Sequence, residues 1–212
     1  MILSFIYPRK CVLCQRLLHR GEQFLCADCF ENAPEFGRTK RNIPFVAHWT
    51  ALWYYKESVP GSILRFKFGR KRVYAKSFGE LLSRKLIETK LKRFDILSWV
   101  PVSKLRSMRR GFDQSALIAK IVGKKLDVKP QRVLRKIRHT PPQSSIRGAA
   151  QRRANVRDAY KAIDKQLIAG KRILLIDDVV TTGATASECA RTLLTAGAKE
   201  VIVAAVAAAD KN

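Results

Sequence analysis

ILLIDDVVTTGAT, residues 173–185, decides the fold. Ile173 to Ile176 form a short, wholly apolar run, the pattern of a strand buried on both faces of a parallel sheet. Two adjacent carboxylates, Asp177 and Asp178, stand where that run ends, and open α/β sheets bind ligands outside the carboxyl ends of their strands. Thr181-Thr182-Gly183-Ala184-Thr185 then leads into a helical pattern from Gly183 to Ala196, stopped by Gly197. The unpaired N–H groups and positive dipole end of such a helix make a phosphate cradle, with Gly183 allowing close approach and the Thr hydroxyls adding donors. Carboxylates beside a bound phosphate repel it unless something neutral or cationic lies between. A ribose does this, its 5′-phosphate in the loop and its 2′ and 3′ hydroxyls donating to the acid pair. A Walker A reading fails for want of GxxxxGK, and a dinucleotide reading for want of GxGxxG after an early strand.

Outward from this stretch the chain alternates strands and helices. VIVAAVAA, residues 201–208, is a second buried strand. Upstream, DILSWVPV is a short apolar run ending at Pro101. A basic loop follows, SKLRSMRRGFDQ from Ser103 to Gln114, and then a helix over about Gln114 to Lys125 with Leu117, Ile118, Ile121 and Val122 on one face. RVLRKI and the residues around Asp158 to Ile163 are further strand candidates. HWTALWYYKES reads as an aromatic-rich strand that Pro60-Gly61 turns toward SILRFKFGRK, and Ala75 to Lys90 repeats its apolar residues at helical spacing. Strands alternating with helices imply an α/β fold with a mostly parallel sheet flanked by helices.

The first 42 residues form a separate module. Cys11-x2-Cys14 and Cys26-x2-Cys29 are two CxxC pairs eleven residues apart. In a chain where no export signal is read, that spacing points to a structural Zn2+ held by four thiolates, whose coordination supplies folding energy that so small a segment cannot obtain from its own core. Redox pairs or disulfides are the competing reading, disfavoured in a reducing cytosol. Cys189, inside the helix after Gly183, reads as a small buried hydrophobe. The apolar patch Met1 to Tyr7 is expected to pack on the main domain, with peripheral membrane contact as the alternative. No apolar run approaches the roughly 20 residues that span a bilayer, so the expected location is cytoplasmic.

The 212 residues suit one core plus this appendage. The 42 Lys and Arg against 17 Asp and Glu give a formal charge of +25. The interval from Pro101 to Tyr160 alone carries sixteen Lys and Arg against three Asp. Such an excess repels itself in a compact chain and points to a polyanionic partner such as nucleic acid, with solvated lysine faces as the plainer reading. Aromatic residues near basic ones, Trp49, Trp53, Tyr54, Tyr55, Phe66 and Phe68, are candidates for stacking on bases, with core packing as the plainer reading.

The stretch from Ile173 to Thr185 resembles the phosphoribosyltransferase signature, an apolar run followed by DD, V-x-TTG-x-T. The whole chain resembles the ComF family of competence-associated proteins. The likeness is carried by the four-cysteine knuckle, the FKF element Phe66-Lys67-Phe68, the RRGF-x-Q stretch from Arg109 to Gln114, and the signature itself. This resemblance implies a type I phosphoribosyltransferase-like domain over about 43–212, behind a zinc knuckle over 1–42, with a flexible hood at about 138–157. It implies Asp177 and Asp178 on the ribose diol, Thr181, Thr182, Gly183, Ala184 and Thr185 on the 5′-phosphate, and Mg2+ bridging the pyrophosphate and ribose hydroxyls of phosphoribosyl pyrophosphate.

By the same resemblance the loop after the first core strand binds pyrophosphate through Lys104, Arg106, Arg109 and Arg110, joined by Arg135 and Lys136. Arg147, Arg152, Arg153 and Arg157 would sit on the hood. Members of the family usually carry Asn where this chain has Asp113, and no ligand role is assigned to that residue. The link to competence implies handling of incoming single-stranded DNA during natural transformation, with Arg109, Arg110, Arg152 and Arg153 on the nucleic acid and DNA-uptake or recombination proteins as partners. The alternative is an active phosphoribosyltransferase using an unidentified nucleobase-like acceptor. AAVAAAD, closing the last strand, offers no aromatic for such a base.

Overall fold

A computed structural model describes residues 9–37, 41–69, 72–141 and 148–209. The patch Met1 to Tyr7 and Arg147 lie outside the described residues. A short helix α1 (Ala27–Asn32) closes the cysteine module, and β1 (His48–Tyr54) leads into α2 (Val59–Phe68) and α3 (Tyr74–Glu88). Then come β2 (Ile96–Trp99), α4 (Lys104–Arg110), α5 (Gln114–Leu126), β3 (Leu134–Lys136), α6 (Ala149–Val156), β4 (Tyr160–Ala162) and α7 (Lys165–Ile168). The chain continues through β5 (Arg172–Val180), α8 (Ala184–Thr195) and β6 (Glu200–Ala208).

The main sheet is wholly parallel, in the order β1-β6-β5-β2, while β3 and β4 pair antiparallel as a separate two-stranded sheet. Alternation along the two central strands builds a core on each face. Leu174 and Ile176 of β5 join Ile202, Ala204 and Val206 of β6 beneath α2, α3 and α5. Ile173 and Leu175 join Val201, Val203 and Ala205 beneath α8 and the β3–β4 ribbon. On the first face α3 and α5 approach closely, because a Cβ on Gly79 would meet Ile121 at 2.5 Å. After β2 the chain passes to the first face through α5, and after β5 to the second through α8. The crevice for a ligand opens between these divergent connections.

Two local readings change. Residues 59–68 form one helix rather than a turn and a following segment, with Pro60 in its first turn. Proline is tolerated there because the first N–H groups of a helix have no intrahelical partner. The basic stretch after β2 is also a helix. The Ser103 side chain accepts from the Arg106 N–H as its N-cap, and Gly111 ends it in the left-handed region at φ 77°. Between them lie Lys, Leu, Arg and Met, all strong helix formers. Within the interval expected to form the hood, residues 149–156 are helical.

The cysteine module shares the main core. Cys11, Val12 and Leu13 are buried among Ile63, Phe66 and Phe78. Ser62 Oγ donates to the Val12 carbonyl at 2.6 Å, Arg65 donates to the Leu13 carbonyl, and Gln15 and Arg65 both donate to the Tyr74 hydroxyl. Among the described residues, no helix is long and apolar enough to cross a membrane.

Candidate functional site

The carboxyl ends of β2 and β5 open into a cleft of roughly 220 Å3. Its floor is the end of β5, where Asp177 and Asp178 continue the strand rather than follow it. Neighbouring strand residues point to opposite faces, so the two acids find different partners. The Asp177 carboxylate accepts from Ser115 Oγ at 3.2 Å and from the Asp178 N–H at 2.8 Å. Asp178 pairs with Lys67 Nζ at 2.9 Å, with about four-fifths or more of each side chain buried. Burial, and then the charge of Asp178, push the Asp177 carboxyl well above the usual carboxylate range, against the N–H bond and Lys67.

Lys67 arrives through the FKF element, whose three side chains leave α2 in three directions. Phe66 is fully buried against Phe78 and Phe112, Lys67 enters the cleft, and Phe68 is 62% exposed with the Arg110 guanidinium 5.1 Å from its ring centroid. The sequence shows the element, but its lysine's role depends on a pairing between distant parts of the chain that no local pattern displays.

Thr181, Gly183, Ala184 and Thr185 line the cleft at the start of α8, and the Thr182 hydroxyl accepts from the Ala184 N–H at 3.3 Å. Gly183 has φ 80°, a conformation that favours glycine, and a Cβ there would also press on Ile43 at 3.1 Å. The loop is gripped from behind by Arg41, which donates to the Thr181 and Ala209 carbonyls and lies over the Trp49 ring. Arg41 and Ile43 were not among the residues singled out by the sequence.

On the opposite wall the basic residues separate by geometry. Arg106 and Arg110, one helical turn apart, line the cleft, while Arg109 between them is exposed outside it. Arg106 donates to the Thr140 carbonyl at 2.6 Å and Arg110 to Gln114 Oε1 at 2.9 Å. On β3, Lys136 lines the cleft and Arg135 is exposed outside its lining, as adjacent residues of a strand must diverge. Burial, and then Arg106, hold the Lys136 amine down at about 8. Its Nζ lies 5.2 Å from the Tyr160 ring centroid. Lys104 begins α4, Arg152 is half-buried on α6, and Arg153 and Arg157 are exposed. Asp113 caps α5, its carboxylate accepting from the Ala116 and Val102 N–H groups, so the acid is structural. Tyr55 and Tyr160, from β1's end and from β4, give the cleft aromatic groups that the last strand lacks.

Across α2 from the cleft-facing Lys67, Ser62 and Arg65 bond to the segment between the first two cysteines, and one thiol sulfur from each of Cys11, Cys14, Cys26 and Cys29 lies within 4.8 Å of the others. A tetrahedral zinc with thiolates at about 2.3 Å requires sulfurs about 3.8 Å apart, and Cys14 and Cys26 lie at 3.6 Å. The cluster can therefore hold a metal ion, and its donors fit zinc. Burial and then the neighbouring Cys14 and Cys11 raise the Cys29 thiol, so this thiol resists ionising without a cation. Cys189 is fully buried, as a packing residue should be.

A model of the phosphoribosyl transferase domain matches residues 113–212. Competence protein F of Haemophilus influenzae is 26% identical over 92% of this chain and 94% of its own. Competence protein ComFC of Streptococcus pneumoniae is 28% identical over 91% and 96%, and the DNA utilization protein YhgH of Escherichia coli 29% identical over 91% and 87%. Among solved structures, the glutamine phosphoribosylpyrophosphate amidotransferase of B. subtilis is 20% identical, with a TM-score of 0.47. The likeness covers 68% of this chain but only 30% of that enzyme. The resemblance to the ComF family and the phosphoribosyltransferase type of α/β fold are borne out, as is the four-cysteine cluster in front of it.

Proposed function

We propose that this chain binds phosphoribosyl pyrophosphate with Mg2+ in the cleft and handles single-stranded DNA on the cytoplasmic side during natural transformation, with Zn2+ held by Cys11, Cys14, Cys26 and Cys29. The observation that carries the first part is the juxtaposition in one cleft of the acid pair, the glycine-containing loop at the start of α8, and the cations Arg106, Arg110 and Lys136. A ribose diol donates to Asp177 and Asp178 while its 5′-phosphate accepts from the N–H groups and hydroxyls of 181–185. The pyrophosphate faces the cationic wall, where Arg forks suit its oxygens. Bound magnesium supplies charge neutralisation to the pyrophosphate.

The DNA reading is supported by the +25 charge, by the exposed Arg109 and Arg153 flanking the fold, and by Phe68, which stands in solvent beside Arg110 while Trp53 and Phe66 belong to the core. The names of the relatives, competence and DNA utilization proteins, agree with it. DNA-uptake or recombination proteins are the corresponding partners.

Tyr55 favours a second reading, phosphoribosyl transfer, because it brings a half-buried ring to the cleft where an acceptor base can stack. An acceptor nitrogen would then bond to C1 of the ribose as the C1–O bond to pyrophosphate breaks, with Arg106, Arg110 and Lys136 stabilising the departing charge.

Calorimetric titration with phosphoribosyl pyrophosphate and magnesium tests the cleft, and absence of binding sinks the first part. Single-stranded DNA affinity is expected to fall steeply with salt, and a flat dependence sinks the second. Pyrophosphate release with a nucleobase from a broad panel would establish the transferase reading.

A further inference from the structure

The ten-residue helix α2 touches the cysteine module with one face and the cleft with another. On the cluster side, Ser62 and Arg65 reach from this helix to the carbonyls of Val12 and Leu13, the two residues between the first cysteine pair. On the cleft side, two residues beyond Arg65, Lys67 carries its amine to Asp178 at 2.9 Å. Beside these contacts Ile63 and Phe66 are sealed in the core with Val12, Leu13, Phe78 and Phe112. The backbone between Cys11 and Cys14 is thus a fixed ledge on which α2 is hung, and the metal that closes the cluster fixes the ledge.

Lys67 is also the cation placed directly on the acid pair. Without it, the carboxylates at the end of β5 have one fewer opposing charge and repel each other more strongly, and the acceptors that a ribose diol needs are lost from register. We propose that metal occupancy of the cysteine cluster and occupancy of the cleft by a ribose phosphate are thermodynamically coupled through α2, with Lys67 as the positioning residue that transmits the coupling. The inference rests on the ribose-phosphate reading of the cleft. Linkage is reciprocal, so a metal that strengthens ligand binding must itself be bound more tightly when the ligand is present.

The test is the zinc affinity of the full chain, measured by competition with a chromogenic chelator, with and without phosphoribosyl pyrophosphate and magnesium. Controls with the same concentrations of pyrophosphate and magnesium correct for zinc bound by the ligand itself. Saturating ligand is expected to tighten zinc binding by at least about 5-fold, the lower end of ordinary coupling. In Lys67→Met the tightening should vanish while zinc affinity without ligand stays as in the parent chain. Lys67→Arg, which keeps the charge, should retain part of it. If calorimetry shows the ligand bound but zinc affinity is unchanged, the coupling is overturned and the ribose-phosphate reading stands. If no ligand binds, both fall. Full tightening in Lys67→Met overturns the role of Lys67. The unsubstituted chain decides the coupling by itself even should that variant fail to fold.

Discussion

At the cysteine cluster four like donors are packed together, three of the residues buried and Cys14 exposed. In the cleft, Lys67, Arg106, Arg110 and Lys136 face Asp177 and Asp178 around open space. Both places assemble polar groups that an ion or ligand of complementary chemistry would complete. They differ in what surrounds them. Cys11, Cys26 and Cys29 sit in the main hydrophobic cluster with Phe66 and Phe78, so closure of the set is part of folding. The cleft groups, carried by strands and helices alike, line an opening, so their completion is part of binding. Metal removal should therefore be felt as stability, and changes in the cleft as affinity.

The largest effect expected from this difference is at the cluster. Cys26→Ser, or stripping the metal with a strong chelator, should lower the melting temperature by roughly 10 °C or more in thermal denaturation followed by circular dichroism. An unchanged melting curve would break the comparison. The double variant Asp177→Asn with Asp178→Asn should instead keep its fold and lose about 100-fold in calorimetric affinity for phosphoribosyl pyrophosphate, the loss of two charge-assisted hydrogen-bond sites.

Gly183→Ala falls between the two regions, because it strains the binding loop and also presses on the core at Ile43. Its expected cost is about 2 kcal/mol in urea denaturation. The smallest effect concerns pH. The Asp177 carboxyl is raised from an ordinary 3.8 to about 8 in the unliganded fold, so the native state binds the extra proton. Stability from this group is complete below the ordinary value and is lost as pH rises through about 8. Asp177→Asn should thus melt about 3 °C above the parent chain at pH 9, with the gap closing near pH 4.

The central strands, the phosphate loop and the cysteine spacing were legible because each is a local pattern: a short apolar run, a glycine before a helix, two CxxC pairs. The basic helix α4 was read as a loop although Ser103 and the helix-forming residues after it were in view, since a dense run of charges resembles a solvated connection. Pro60-Gly61 was read as a turn because the pair is a common turn signal, and the chain uses its proline in a helical first turn instead. The spacing of Arg106 and Arg110 could have separated them from Arg109, and strand alternation requires Arg135 and Lys136 to diverge without saying which one enters the cleft. The ion pair of Lys67 with Asp178 and the grip of Arg41 on the Thr181 carbonyl join distant segments, and only the packed fold reveals them.

The strand order has a bearing on how the protein is made. In the main sheet β1 pairs in parallel with β6, and β2 with β5, so each early strand finds its parallel partner late in the chain. As the chain leaves the ribosome both early strands wait for their parallel partners in residues 172–208, with β1 meanwhile able to bond to residues 34–36 and β2 to Gln131, so no rung of this parallel sheet can form until most of the polypeptide has been synthesised. Such late, long-range pairing is slow and leaves bare strand edges in the interval. The cysteine module and the helices packed on it are the parts able to gather first, and a cell short of metal would meet that interval with the least protected nascent chain.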